Sequence, residues 1–508
     1  MNRKIVLYLV GVIANLIGVS ICASALVSFF MHEDTWRDGL ALLACGLAVI
    51  VPAGLLAFLM RPKNEADRKF GAREGFACVA FGWLAASIAG TVTYMVVTNF
   101  GFADAFFESV SGFTTTGASV IGPELIRRNG SVLPHGVDDL PRGILFFRCL
   151  TNWLGGMGFV VLTLAILPLL NIGGQALYNA ETTGVKSSSS DNRIAPRIAS
   201  AAKILWLVYL ILTVAETILL KLAGMSFFDS VCHAFATVST GGFSTCQDSI
   251  AAFHSPLIEW IILVFMFFSG ANFMLHIRTC TGHWKAFWED EEFRFYAFAT
   301  AGSVFFITIA LIFLGGDGFE APFTTFRNAV FQVVSLFTST GFSTADYATW
   351  PVFANLILFL LCFLGGCGGS TAGGLKCFRA ILVTKFSIME TRRCIFPNLV
   401  SGIRLNGVRM EMSTVHKTMG FFACYMGLYL LFALALSLFS SNVDLETSLS
   451  ASIACLSNIG PGFGRVGPSW TYVWLSDPGK ILLSFEMILG RLELYTFLVL
   501  FLPSFWKK

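Results

Sequence analysis

The chain has 508 residues, of which 55% are apolar and only 13% charged, and its mean hydropathy is +0.73. An ordinary soluble domain is roughly a quarter charged, so this composition is that of a polytopic membrane protein. The net charge of +3 gives no sign of a nucleic-acid partner.

In chain order, apolar windows of roughly 20 residues, enough to cross a bilayer, recur near 5–30, 39–60, 73–98, 143–170, 201–224, 256–280, 294–314, 351–380, 414–440 and 479–503. The first lacks a small-residue cleavage site and is soon followed by another, so it reads as a retained helix. The expectation is an all-α protein of ten transmembrane helices. Most of the 34 Lys and Arg residues fall in loops on one side, including Arg61–Lys69, Lys186–Lys203, Arg278–Arg294 and Lys376–Lys417. Enrichment of these residues on the cytoplasmic face puts both termini inside.

Between the windows one phrase returns four times: FTTTGAS, VSTGGFS, FTSTGFS and LSNIGPG, ending on Gly117, Gly242, Gly341 and Gly460. The copies lie roughly 100–125 residues apart, as in a repeat architecture. The chain divides accordingly into two N-terminal helices (1–70) and four units: 71–178, 179–290 with a preceding cytoplasmic loop, 291–410 with a broken second helix, and 411–508. Thirteen positions before each glycine stands Asp104, Asp229, Asn328 or Thr447, residue types that cap helices. Each hairpin is too short to cross the membrane, so it must dip in and return. Non-helical backbone at that depth needs a protein-lined or water-filled setting. Four re-entrant pore loops with pseudo-fourfold symmetry follow.

A dehydrating cation needs oxygens in place of its water, and glycine lets backbone carbonyls turn toward it. The candidate ligands are the carbonyls of Thr115, Thr116 and Gly117; Thr240, Gly241 and Gly242; Ser339, Thr340 and Gly341; and Asn458, Ile459 and Gly460. The hydroxyls of Thr114, Ser239, Thr338 and Ser457 would add a ring on the inner side. Two departures from strict repetition stand out. Asn458–Ile459 lacks hydroxyls, and Gly241 leaves the register of the second copy open by one residue.

The stretch FLGGCGGSTAGGLK interrupts the third unit with Gly365, Gly366, Gly368, Gly369, Gly373 and Gly374. Each glycine inside a helix costs about 1 kcal/mol against alanine, so a break is expected there. With Ser370 and Lys376 it forms a candidate gate below the filter; the spacing does not match a phosphate-binding loop. Arg491, about midway along the last window, is a costly intramembrane charge. It either faces the pore beneath the filter or pairs with Glu486 or Glu493. A Ser/Thr-rich stretch, 179–193, reads as mobile. The basic stretch 390–412, with Arg392, Arg393, Arg404 and Arg409, sets topology or docks a partner. The 13 cysteines contain no C-x-x-C pair, and the seven histidines no ligand spacing. No metal cluster and no enzyme chemistry is expected.

These motifs, together with WLGGMGFVVLTLAILP, APRIAS and GRLELYT, resemble the Trk/Ktr/HKT superfamily of potassium transporters, nearest its bacterial TrkH-type members, over nearly the whole chain. The resemblance implies K+ as transported ion with no organic cofactor, and a filter at the four glycines. It also implies gate elements at 365–374 and Arg491, a homodimer, and a cytosolic nucleotide-binding regulatory subunit of the TrkA type in a bacterial inner membrane. All four filter glycines are present, which favours potassium over sodium. An ion-coupled (H+ or Na+) potassium symporter is the alternative.

Overall fold

The computed structural model describes residues 1–31, 34–63, 71–158, 194–315, 321–398, 402–440 and 443–507. The segment 179–193 and residues 159–170 of the 143–170 window lie outside them. Six helices among the described residues are long and apolar enough to cross a bilayer. They are α1 (Arg3–Phe30), α2 (Trp36–Leu59), α3 (Ala72–Val97), α6 (Ile194–Leu222), α10 (Glu291–Leu314) and α14 (Met412–Phe439).

The other four windows hold shorter helices among the described residues, where the expectation was ten transmembrane helices with a break in the third unit. Each holds a helix of about two-thirds to three-quarters of the required length: α5 (Arg142–Gly156), α8 (Pro256–Ser269), α12 (Val352–Leu364) and α16 (Asp477–Arg491). At 1.5 Å per residue, their 13–15 residues reach only about 20–23 Å. After α8 the chain turns by 98° into α9 (Phe273–Cys280). The breaks fall at or beside glycines pressed against neighbouring backbone or, at Gly270, against the Thr338 and Tyr296 side chains. A Cβ on Gly155 would lie 1.8 Å from the Phe113 carbonyl oxygen, and one on Gly490 would lie 2.1 Å from that of Leu456. Only the third unit announces its break with a long glycine-rich stretch; the others have between one and three glycines there.

Four short helices complete the units: α4 (Phe102–Phe113), α7 (Phe227–Val238), α11 (Pro322–Phe337) and α15 (Leu445–Leu456). Each packs on the long helix before it: α4 on α3, α7 on α6, α11 on α10 and α15 on α14. Each second helix packs on the short helix of the next unit, α5 on α7, α8 on α11 and α12 on α15, and α16 returns to α4. The four units therefore close into a ring. α1 lies along α2 and against α3 and α5, outside that ring.

The helix starts differ from the capping read in the sequence. Asp104, Asp229 and Thr447 are the third residues of their helices, and the N-caps are Gly101, Ser226 and Asp444. Ser226 and Asp444 accept the N–H of Asp229 and Thr447, so the capping chemistry is present three residues earlier. Asn328 lies deeper, because α11 begins at Pro322 and runs 16 residues against 12 in its counterparts. A further helix, α13 (Cys377–Ile395), leads to a two-strand hairpin, β1 (Arg404–Leu405) against β2 (Val408–Arg409).

A ring of glycine-hinged segments and the loop beneath it

Each short helix ends in the same way. The residue two before the glycine is left-handed in all four copies: Thr115 (φ 53°), Thr240 (53°), Ser339 (54°) and Asn458 (54°). Its N–H donates to the carbonyl three residues back, and the next N–H reaches five back: Thr116 to Ser111, Gly241 to Ala236, Thr340 to Ser335 and Ile459 to Ala454. This pair of bonds is the Schellman ending, which satisfies the orphan carbonyls of a helix C-terminus. Gly117, Gly242, Gly341 and Gly460 follow with φ of 79°, 69°, 82° and 96°. Thr240 and Gly242 thus occupy the positions of their counterparts, and Gly241 aligns with Thr116, Thr340 and Ile459.

The four segments meet. A Cβ on Gly117 would lie 2.5 Å from the carbonyl oxygen of Gly241, one on Gly242 1.9 Å from that of Thr340, one on Gly341 2.1 Å from that of Ile459, and one on Gly460 2.6 Å from that of Thr116. Every glycine therefore abuts the carbonyl of the next segment, and the fourth abuts the first. With positive φ and no room for a side chain, all four positions require glycine. A cavity of about 90 Å³ opens above them and is lined by all four glycines.

The hydroxyls expected to form an inner ring have another use. Thr114, Ser239, Thr338 and Ser457 are the C-caps. Thr114, Ser239 and Thr338 donate to carbonyls of their own helices, and Ser457 pairs with the Tyr425 hydroxyl at 2.6 Å. Ser239 and Thr338 also press on Gly156 and Gly270 of the preceding units. Their side chains thus serve the seams between units.

Below the ring lies a second cavity of about 200 Å³, bounded by Gly368–Gly374, Lys376, Asn458 and Arg491. Gly365, Gly369, Gly374 and Lys376 are all left-handed, so the segment between α12 and α13 is a loop, as its glycines imply. It is held from several sides. The Gly373 N–H donates to the Ser339 hydroxyl at 2.6 Å, and the Thr371 hydroxyl to the Val238 carbonyl at 3.1 Å. Glu292 accepts from the N–H groups of Gly368 and Phe378, at 2.6 and 2.9 Å. Gly365 and Gly366 face Gly373 and Gly270 with no room for a Cβ. The ammonium of Lys376 bonds back to the Ala372 carbonyl, and the Ser370 hydroxyl to that of Cys367.

Arg491 is the last residue of α16 rather than a mid-helix charge. Its guanidinium donates to the Thr371 carbonyl at 2.9 Å and to the carbonyls of Gly155 and Gly156 at 2.5 and 2.8 Å. It thereby joins the fourth unit to the loop of the third and the helix break of the first. Charge-assisted bonds of this kind are about twice as strong as neutral ones. Glu486 and Glu493, the partners considered from sequence, engage Ser452 and Arg379.

Three buried or nearly buried ion pairs behind the ring were not foreseen. Arg148 on α5 meets Glu108 on α4 at 2.6 Å, stacks 3.5 Å from the Phe243 ring and donates to the Ser244 carbonyl. Glu108 also accepts from Ser119 and from the Val120 N–H. Lys480 on α16 meets Asp104 on α4 at 2.6 Å, and Arg327 on α11 meets Glu259 on α8 at 2.8 Å. The last two cross between units. The sequence signal was available: each is a charge inside or beside an apolar window.

Four repeated helix–segment–helix units closed into a ring, each ring glycine abutting the next segment's carbonyl, on helices long and apolar enough to cross a bilayer, are the build of a polytopic membrane protein. The comparisons give the family. Residues 41–508 match the family model TrkH, described as cation transport protein, and the chain belongs to that family. It is 37% identical over 511 residues to the Trk system potassium uptake protein TrkH of Escherichia coli K12, and 36% identical over 514 residues to that of Vibrio parahaemolyticus, in both cases covering 100% of both chains. The crystal structure of the potassium transporter TrkH from Vibrio parahaemolyticus matches with a TM-score of 0.85 at 34% identity, again over 100% of both chains.

Proposed function

We propose that this protein is a potassium-selective, channel-like uptake pore of a bacterial inner membrane, with both termini in the cytoplasm. The four short helices and the segments after them act as re-entrant filter loops. K+ sheds its water against the carbonyls of residues 115–117, 240–242, 339–341 and 458–460, and the negative C-terminal ends of the four helices favour a cation there. The observation that carries this reading is the closed contact of each glycine with the next segment's carbonyl. The loop 365–376 lies under that ring as the gate, and Arg491 holds it shut through the Thr371 carbonyl. The family resemblance adds a homodimer with one pore per protomer and a cytosolic nucleotide-binding subunit that controls the gate.

Gly341→Ser tests the filter. A Cβ there meets the Ile459 carbonyl, so the preference for K+ over Na+ in reconstituted vesicles is expected to fall. An unaltered preference removes Gly341 from the filter. Coupled symport, the second reading, draws on Glu216, a fully buried carboxylate in α6. Uptake that collapses with the proton gradient at constant voltage would favour it.

A further inference from the structure

Two of the bonds that hold the gate loop come from hydrogen donors aimed at oxygens just inside the glycine ring. The Gly373 N–H meets the Ser339 hydroxyl oxygen at 2.6 Å, and the Thr371 hydroxyl meets the Val238 carbonyl at 3.1 Å. A third oxygen, the Ser457 carbonyl, stands where a Cβ on Gly373 would lie, 2.1 Å away. Val238 and Ser457 sit at the C-terminal ends of α7 and α15, where the helix dipole is negative. Ser339 and Thr371 are almost fully buried, at 1% and 3% exposure. Buried oxygens of this kind must be satisfied by a donor or a cation. The loop supplies two donors and no anion.

We propose that Val238 O, Ser339 Oγ and Ser457 O form an inner subsite for a partly dehydrated monovalent cation, and that the closed loop fills it with Thr371 Oγ1–H and Gly373 N–H. Cation occupancy and loop closure are then mutually exclusive at this level. The permeant ion itself favours opening, because it binds the open arrangement and not the closed one, and a ligand shifts an equilibrium only by such differential affinity. Thr371 and Ser339 become gating residues that the repeated filter phrase does not mark. The proposal rests on the gate reading above and adds the competitor.

Thr371→Val removes the donor and keeps the shape. In single-channel recordings of the full-length protein in planar bilayers with K+ varied on the cytoplasmic side, wild-type open probability is expected to rise with K+. Thr371→Val is expected to start about threefold to tenfold higher, the worth of one buried hydrogen bond, and to respond less steeply to K+. Thr371→Ser, which keeps the hydroxyl, restores the steep response. Ser339→Ala loses the acceptor and also flattens it. If Thr371→Val gates with wild-type K+ dependence while Arg491→Ala opens the pore, the subsite is wrong and the gate stands. If neither variant alters gating, both readings fall. Elution of each variant at the wild-type position in size exclusion guards against misfolding.

Discussion

The glycine ring and the loop layer directly beneath it obey different rules. In the ring, four segments from distant parts of the chain take the same left-handed residue, the same Schellman bonds and the same contact with the next segment. Beneath it, among the described residues, the contributions are unlike: the third unit sends in a long loop, and the fourth supplies an arginine. On the reading proposed above, an ion on the axis would meet four like faces and need no more than local backbone rules repeated four times. A gate would need two states, and contacts made by single, unlike side chains can be broken without disturbing the ring. Under that proposal symmetry serves selectivity, and its loss serves control.

The sharpest way to break the comparison is at a ring glycine. Gly242→Ala places a Cβ at φ 69° within 1.9 Å of the Thr340 carbonyl, so rubidium uptake by reconstituted protein is expected to fall to background. Gly302→Ala in α10, where a Cβ meets nothing within 4 Å, is expected to transport normally. Equal uptake by the two variants would show that the ring contacts do not matter. Next comes the scaffold behind the ring. Glu108→Ala strands the buried Arg148 and is expected to cost about 3–5 kcal/mol, read as a lower unfolding temperature in detergent. Glu108→Leu combined with Arg148→Met should lose less, since no charge is left unpaired. Smaller still is the loop layer. Arg491→Ala removes three bonds to carbonyls and is expected to raise flux by about tenfold, one charge-assisted bond's worth, with the K+ over Na+ preference unchanged. A changed preference would mean that ring and loop are not separable.

How much of this was legible in the sequence follows the same division. The ring was legible because its determinants are local: a short helix, a hydroxyl residue and, three positions on, a glycine, in fixed order. Even the Asn458–Ile459 departure fits, since asparagine accepts the left-handed region, and its amide donates to the Thr116 hydroxyl at 3.0 Å and to the Met487 carbonyl at 2.9 Å. Helix starts were misplaced by one turn, because a third-position Asp or Thr resembles a cap in composition. The broken second helices outside the third unit were hidden because a few glycines in an apolar run do not by themselves announce a break. The carbonyls of Phe113 and Leu456, arriving from another helix, leave no room for a side chain at Gly155 and Gly490. The ion pairs Arg148–Glu108, Lys480–Asp104 and Glu259–Arg327 join residues 40 to 376 positions apart or in adjacent units. No local pattern pairs them. Arg491 was seen as a costly charge, but its use of backbone carbonyls required the fold.

The most direct measurement is anomalous X-ray scattering from crystals soaked in rubidium. One or more peaks on the axis, inside the carbonyls of Thr116, Gly241, Thr340 and Ile459, are expected, and Gly341→Ser crystals should lose or weaken them. Rubidium bound only away from that axis, with the ring empty in both proteins, would contradict the claim that these four segments form the ion's path.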